Sequence, residues 1–257
     1  MTRFSRPLWL ALLLAVGASA HAATVVPLND TGQTLCYDGA GATVTCTTGA
    51  DDGRYGRDAA NTAGALPKTG GGNAGFDFTK IAIDGSALAA AAIEWDCIRD
   101  NVIGLTWELK APSGGGGLRD SAHTYTWYSA DAASNGGNAG DLGTDTCGGT
   151  LSAYSNQCNT ANYVAAVNAT ALCGYTDWRM PSIRELLSLV DFSVPDTSGT
   201  PTIDATYFTN TQLGSYWAAN NFSSLPVNAL HIFFTDSSIN YGPKANSFYV
   251  RLVRGAQ

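Results

Sequence analysis

The segment that best suits a binding site combines aromatic and amide side chains within a few residues. It reads YWAANNFSS and includes Tyr216, Trp217, Asn220 and Asn221. Aromatic rings stack on the apolar faces of sugars, and amide or carboxylate groups hydrogen-bond to sugar hydroxyls. These residue types predict a carbohydrate site near a strand end, although packing in the core explains Trp217 equally well. The predicted ligand-binding residues are Trp217, Asn220, Asn221 and Asp236, with Trp127 and Tyr128 as secondary candidates.

Motifs that mark a nucleophile or a catalytic metal do not occur in the sequence. It contains no Gly-x-Ser-x-Gly, no His-Glu-x-x-His and no phosphate-binding loop. His123 and His231 have apolar or β-branched neighbours, which favours structural positions in strands. A pair of acids for glycoside hydrolysis stays open, because the separation of two carboxylates is a property of the fold. We therefore predict a non-enzymatic protein with no catalytic residue.

Oxygen-rich loops raise the question of calcium, which binds carboxylate, amide and carbonyl oxygens. Two loops have this composition, and one of them carries Asp191, Asp196 and Asp204. Solvated loops have the same composition, and this is the favoured interpretation of both. The sequence predicts no cofactor and no metal ligand, and it leaves calcium open. The candidate residues of the other loop are Asp131, Asn135, Asn138, Asp141 and Asp145.

Six cysteines predict three disulfides, because an even number in an exported chain ordinarily pairs. No Cys-x-x-Cys supports a zinc site. A helix between Cys158 and Cys173 would hold them about 18 Å apart, whereas bonded Cα atoms lie about 4.4–6.8 Å apart. Short intervening loops favour the Cys36–Cys46 and Cys147–Cys158 pairs, which leaves Cys97 to pair with Cys173. The predicted pairs are Cys36–Cys46, Cys147–Cys158 and Cys97–Cys173.

The first 22 residues predict a signal peptide. Arg3 and Arg6 precede an apolar run from Leu8 to Ala18, and small residues follow it. Their removal takes the net charge from −7 to −9, which disfavours nucleic acid and anionic membrane as partners. We expect a soluble protein without membrane insertion, located in the periplasm, at the cell surface or outside the cell.

Two helices and a set of strands must position these residues. The first helix is expected at about 161–172, with Thr160 as a candidate N-cap. Ser182 and Glu185 form a capping box that starts the second helix, whose apolar face runs from Ile183 to Val190. Period-two or β-branched patterns predict strands in the segments IGLTWELK, HTYTWYS, SYWAANNF, NALHIFFTD and SFYVRLVR.

The tripeptide Asp177-Trp178-Arg179 lies between the two predicted helices. In an extended segment Asp177 and Arg179 point to one side and Trp178 to the other. Trp178 packing inward, with the two charges paired or bonded to nearby backbone, accounts for all three residues. We interpret the tripeptide as framework rather than as a reactive site.

Several motifs occur in an order that resembles the Lcl C-terminal domain family, an exported bacterial domain. They include WDCIRDNVIGLTWELK, CNTANYVAAVNATALCGYTDWRMPSIRELLSLVD and FYVRLVRG. The resemblance extends over roughly 76–255. We accordingly divide the chain into a signal peptide (1–22), a loop-rich N-terminal segment with the Cys36–Cys46 hairpin (23–75), and a domain similar to this family (76–257).

The resemblance implies a C-type lectin-like α+β fold with two short helices and a twisted, mostly antiparallel sheet. It also implies adhesion or recognition, because the family is named for a domain of a collagen-like adhesin. We expect a glycan or a surface protein as the partner. A structural subunit that self-assembles in an appendage or envelope complex is the first alternative. An enzyme similar to formylglycine-generating proteins is the second, and it requires a free cysteine pair.

Overall fold

The computed structural model describes residues 29–47 and 51–255 and has an α+β architecture. The predicted signal peptide lies outside the described residues. The three α-helices are short: α1 is Gly56–Thr62, α2 is Thr160–Ala169 and α3 is Ile183–Leu187. The strands are β1 Cys36–Tyr37, β2 Thr43–Val44, β3 Phe78–Ile81, β4 Cys97–Asp100, β5 Thr106–Glu108, β6 Ser215–Asn221, β7 Asn228–Phe233, β8 Ile239–Pro243 and β9 Val253–Arg254.

Antiparallel pairing organises these strands into three sheets. Four strands follow the order β3-β4-β5-β9, three follow β6-β7-β8, and β1 pairs with β2. One buried cluster includes Phe78, Ile98 and Trp107 from the four-stranded sheet together with Tyr216 and Ile232. A second cluster contains the buried aromatic residues Tyr125, Trp127, Tyr163, Trp178 and Trp217. The two large sheets therefore contribute to a common interior, and apolar burial is its main stabilising term.

Helix α2 begins one residue earlier than predicted. Its N-cap is Asn159, whose side chain accepts a hydrogen bond from the Asn162 amide at 3.0 Å. It ends at Ala169, and Ala171 and Cys173 adopt positive φ angles of 50° and 52°. The prediction of a helix to about residue 172 is wrong, because the chain turns before it reaches the disulfide.

The capping box at α3 is confirmed. The Ser182 hydroxyl accepts from the Glu185 amide at 3.2 Å, and the Glu185 carboxylate accepts from the Ser182 amide at 2.6 Å. The helix ends at Leu187, so Val190 lies beyond it although both it and Leu186 are buried in the first cluster. Local capping thus determines where the helix starts, and packing determines the path of the chain beyond its end.

Strand β5 is buried on both faces, although the segment IGLTWELK alternates strictly between apolar and polar residues. Glu108 and Lys110, which share the polar face of this pattern, are buried, and the Lys110 ammonium lies 3.4 Å from the Glu108 carboxylate. Lys110 donates to the Tyr163 hydroxyl at 2.6 Å, and that hydroxyl donates to Glu108. Burial lowers the pKa of Lys110 against the attraction of Glu108. This buried network, not solvent, satisfies the polar face of β5.

Three disulfides connect the described residues in the predicted pattern. The Cys97–Cys173 bond spans 76 residues of sequence and joins β4 to the turn after α2. Such bonds are typical of oxidising compartments, which supports export. Among residues 29–47 and 51–255, no helix has the length and apolarity needed to cross a bilayer.

The segment HTYTWYS forms no regular strand. Its residues make isolated bridges instead, from Tyr125 to Phe248 and from Tyr128 to Gly140. Strand β8, in contrast, was not predicted, because the turn-forming residues of Ile239–Pro243 obscure a β pattern.

Candidate functional site

An open cleft of about 290 Å³ contains the secondary predicted pair Trp127 and Tyr128. Helix α2 provides Thr160, Ala161 and Val164, strand β6 provides one residue, and the segment before α3 provides two. We call this the Tyr128 cleft. Its lining residues are Trp127, Tyr128, Ser129, Ser134, Thr160, Ala161, Val164, Arg179, Met180 and Ala219.

The backbone of Tyr128 is fixed by helix α2. The Tyr128 amide donates to the Thr160 hydroxyl at 2.9 Å, and the same hydroxyl donates to the Tyr128 carbonyl at 2.9 Å. Thr160 is buried and is the first residue of α2. The half-buried Tyr128 side chain therefore borders the cleft from a backbone that is bonded to α2.

Trp127 forms part of the wall but cannot serve as a stacking platform. Its indole N–H donates to the Ala218 carbonyl at 2.9 Å, and the Lys244 ammonium lies 4.1 Å from the ring centroid. The residue is buried. Because its hydrogen-bond donor is satisfied and a cation lies against the ring, the prediction that Trp127 stacks on a ligand is not supported by its surroundings.

Lys244 also fixes the loop that borders the cleft. Its ammonium donates to the carbonyls of Asn135 and Asn138 at 2.9 and 2.6 Å. Burial lowers the pKa of Lys244. Gly136 in this loop has a φ of +66°, and a Cβ there would lie 2.2 Å from the amide nitrogen of Asn221. The loop is therefore packed against β6, which holds Ser129 and Ser134 at the rim.

A bidentate ion pair closes another side of the cleft. The Arg179 guanidinium donates to both Glu185 carboxylate oxygens, at 2.9 and 2.6 Å, and to the Gly255 carbonyl at 3.0 Å. Burial raises the pKa of Glu185, but the hydrogen bonds from Arg179 and Ser182 outweigh it and hold that pKa below its usual value. The two charges of the tripeptide do not pair with each other, because Asp177 pairs with Arg254 at 2.7 Å.

Trp178, the central residue of that tripeptide, packs inward as predicted. It is buried, and its indole N–H donates to the Leu172 carbonyl at 3.1 Å. Its backbone amide and carbonyl bond to the side chain of Asn168 at 2.8 and 2.9 Å. The tripeptide thus connects α2 to the chain that leads into α3.

The chemistry of the cleft suits binding. Ala161 and Val164 lie three residues apart on α2 and share a face with one another, and Met180 and Ala219 extend this apolar surface. The serines Ser129 and Ser134 border it, whereas the Thr160 hydroxyl is already bonded to the Tyr128 backbone. The one charged residue in the lining, Arg179, is already paired with a carboxylate. An apolar surface with hydroxyls at its rim is a common arrangement for small-ligand recognition.

The first-choice candidate Trp217 is in the core. It is 0 % exposed, its indole N–H donates to the Tyr125 carbonyl at 2.8 Å, and its ring packs on Phe248 with centroids 4.4 Å apart. The prediction that Trp217 contacts a ligand is wrong, because no surface of the ring reaches solvent. Both faces of β6 are covered at this point, since the four residues from Ser215 to Ala218 are all buried.

The other predicted residues divide between two places. Asn220 follows the cleft residue Ala219 and accepts a hydrogen bond from the Ile183 amide at 2.7 Å, so it also caps α3. Asn221 packs on the loop of the cleft through Gly136. Asp236 lies apart, in the turn between β7 and β8, where it accepts from the Ser238 amide at 2.9 Å. The structure therefore assembles Trp127, Tyr128 and the Asn220–Asn221 segment but not Asp236.

The loop considered for calcium is built from side-chain turns. The side-chain oxygens of four candidate residues accept hydrogen bonds from the backbone amides two residues further on, at 2.7–3.0 Å. Turns of this kind order a polar loop through its own side chains and need no metal to do so. The four residues are Asp131, Asn135, Asn138 and Asp141.

A second polar cleft, of about 530 Å³, lies on the outer face of the four-stranded sheet. Four cross-strand neighbours form one row across this sheet. Arg99 is exposed, whereas Arg254 lies 3.5 Å from the Tyr175 ring centroid. We call this the arginine cleft, and its charge suits an anion. The row consists of Thr79, Arg99, Thr106 and Arg254.

Sequence reasoning missed Thr160, Met180 and Arg179 as cleft residues. All three occur in segments interpreted as framework, and no sequence signal distinguishes a helix residue that packs from one that borders a cleft.

A family model described as the Lcl C-terminal domain matches residues 96–254. The chain belongs to this family. The match includes the residues of the Tyr128 cleft, while searches of curated proteins and of solved structures found no match.

Proposed function

We propose that this member of the Lcl C-terminal domain family is an exported, non-enzymatic recognition module that binds carbohydrate in the Tyr128 cleft. The observation that carries the proposal is the half-buried Tyr128 side chain at a cleft that combines an apolar surface with the serines Ser129 and Ser134. An aromatic ring can stack on the apolar face of a sugar, and neighbouring polar groups can hydrogen-bond to the sugar hydroxyls. The module has the C-type lectin-like architecture that the family resemblance implies.

The size of the cleft favours a small ligand. Its volume of about 290 Å³ is near the lower end of ligand sites, which begin at about 300 Å³. A terminal sugar residue of a longer glycan fits this description better than an extended polysaccharide does. Adhesion through many weak contacts of this kind is compatible with one site per module.

Paired thiols support a non-enzymatic role over the formylglycine-type alternative. All six cysteines are bonded in three disulfides. A reactive thiol pair, which that alternative requires, is therefore not provided by these residues.

The self-assembling subunit is favoured less because β8 is protected at its free edge. This strand lies at the edge of its sheet and exposes Ile239 and Tyr241. The Tyr241 amide, however, donates to the side chain of Asn240 at 2.8 Å, and Pro243 has no amide hydrogen. Both features oppose the addition of another strand.

A glycan array with matched variants tests the proposal. We expect wild type to bind a defined set of glycans and Tyr128→Ala to lose at least tenfold in affinity. The control Tyr37→Ala removes another exposed tyrosine, on β1, and is expected to bind as wild type. No binding by wild type contradicts the carbohydrate function. Loss in Arg99→Ala with retention in Tyr128→Ala contradicts the location and places the site in the arginine cleft.

A further inference from the structure

Three aspartates from separate parts of the N-terminal segment converge at one point. Asp30 precedes β1, Asp52 starts a single 3-10 turn, and Asp58 is the third residue of α1. One carboxylate oxygen from each residue lies within 4.8 Å of those from the other two. Like charges at this separation repel, so the arrangement needs a positive partner or a proton to be favourable.

Asp58 supplies an independent sign of a missing ligand. The residue is 0 % exposed. Its Oδ1 accepts from the Gly75 amide at 2.6 Å, whereas its buried Oδ2 has no partner at hydrogen-bond geometry, although the Gly32 amide is near enough to lower the pKa of this carboxyl. Buried polar atoms are almost always paired, and each exception calls for an explanation such as an ion. Burial, and then the charges of Asp30 and Asp52, raise the pKa of Asp58 to about 6 against the hydrogen bond from Gly75.

The surrounding chain keeps the carboxylates in place. Asp30 accepts from the Asp58 amide at 2.9 Å, and Asp52 accepts from the Thr31 hydroxyl. Gly75 allows the close approach, because a Cβ there would lie 2.7 Å from the Asp58 carboxylate. Asp52 is exposed, so the cluster has an opening to solvent through which an ion can enter.

We propose that Asp30, Asp52 and Asp58 form a calcium site. Calcium binds carboxylate oxygens at about 2.3–2.6 Å, so one ion holds ligands on opposite sides about 4.8 Å apart. Each of the three carboxylates brings one oxygen to the site, and the Oδ2 of Asp58 becomes a ligand. The other acidic group of this kind, Asp145 with Cys147 and Cys158, is not comparable, because those two sulfurs form a disulfide.

The ion would fasten the N-terminal segment to the family domain. Next to the site, Asn29 donates to the Ser188 carbonyl at 3.1 Å, and the Thr31 carbonyl accepts from the Phe192 amide at 2.8 Å. Asp58 reaches the Gly75 amide, immediately before the predicted domain boundary. Calcium would therefore order residues 30–58 among themselves and, through the neighbouring Asn29 and Thr31, support the contact with the rest of the chain.

Calorimetric titration and thermal unfolding of the full mature chain, after treatment with a chelator, test the site. We expect one calcium ion per chain. At 100-fold excess of calcium over Kd, Tm is expected to rise by about 5–10 °C. Asp58→Asn keeps the Gly75 acceptor and reduces the repulsion, so it is expected to fold and to lose both signals. Asp84→Asn, which changes an exposed turn aspartate, is expected to retain them.

Several results would overturn the assignment. They are no heat and no Tm shift in wild type, retention of both in Asp58→Asn, or an equal shift with magnesium at the same concentration. Because magnesium requires near-octahedral ligands at about 2.0–2.1 Å, a smaller effect is expected. No glycan is present in either measurement, so the outcome does not depend on the proposed carbohydrate function.

Discussion

Two bidentate arginine–carboxylate pairs in this chain have similar chemistry but differ in burial. Comparing them measures how much burial changes the stability that such a pair contributes. Arg179 binds Glu185 with N–O distances of 2.9 and 2.6 Å, and Arg254 binds Asp177 at 2.7 and 3.0 Å. The Glu185 side chain is 3 % exposed and the Asp177 side chain is 57 % exposed. We predict that Arg179→Met is much more destabilising than Arg254→Met.

The magnitudes depend on the group that each variant leaves behind. Arg179→Met leaves the buried Glu185 charge without its partner, which costs about 3–5 kcal/mol for a fully buried pair. Arg179 is itself 41 % exposed, so solvent screening places the effect at about 3 kcal/mol. Arg254→Met leaves a solvated carboxylate and loses a contact with the Tyr175 ring, about 1 kcal/mol in all.

Urea unfolding with the disulfides intact measures the difference. With an m-value of about 2 kcal/mol/M, the midpoint is expected to fall by about 1.5 M for Arg179→Met and about 0.5 M for Arg254→Met. The pKa of Glu185 is lowered in the folded state, so the stability that the pair contributes is present above the ordinary value of about 4.5 and is lost as pH falls through the folded pKa. The effect of Arg179→Met should therefore shrink below pH 4.5. Equal midpoints for the two variants, or an effect that is independent of pH, would refute the reasoning.

Two further predictions concern the disulfides and the buried tryptophan. Replacing the Cys97–Cys173 pair with serines is expected to cost about 4.5 kcal/mol in the chain-entropy model, against about 3 kcal/mol for Cys147–Cys158, because the closed loop is longer. Chemical denaturation of both variants checks this order, and the reverse order would contradict it. Trp217→Phe is expected to lower stability by about 1–3 kcal/mol and to leave glycan affinity unchanged, since the residue is buried. Thermal unfolding and array binding of one preparation separate the two effects, and a selective loss of binding would return Trp217 to the site.

Features that depend on a few neighbouring residues were predictable from the sequence. The Ser182–Glu185 capping box is a local hydrogen-bond pattern with a fixed spacing, and it forms as expected. The third disulfide followed from geometry, because a helix keeps Cys158 and Cys173 apart and leaves Cys97 as the partner.

Features that depend on distant packing were not predictable. Alternation places Glu108 and Lys110 on one face of the segment but does not show what covers that face, and helix α2 brings Tyr163 over it. The same limit applies to the site, since Trp217 and Tyr128 have equally suggestive sequence neighbours. Only the fold distinguishes the tryptophan in the interior from the tyrosine at a cleft.

Mapping of amide chemical shifts during titration with the tightest-binding array glycan tests the central claim most directly. We predict that the largest changes occur at the backbone amides of Tyr128, Ser129, Thr160 and Met180, and that the Tyr128→Ala protein shows none at the same concentration. Changes confined to the row of Arg99 and Thr106, or scattered over the surface without saturation, would contradict carbohydrate recognition in the Tyr128 cleft.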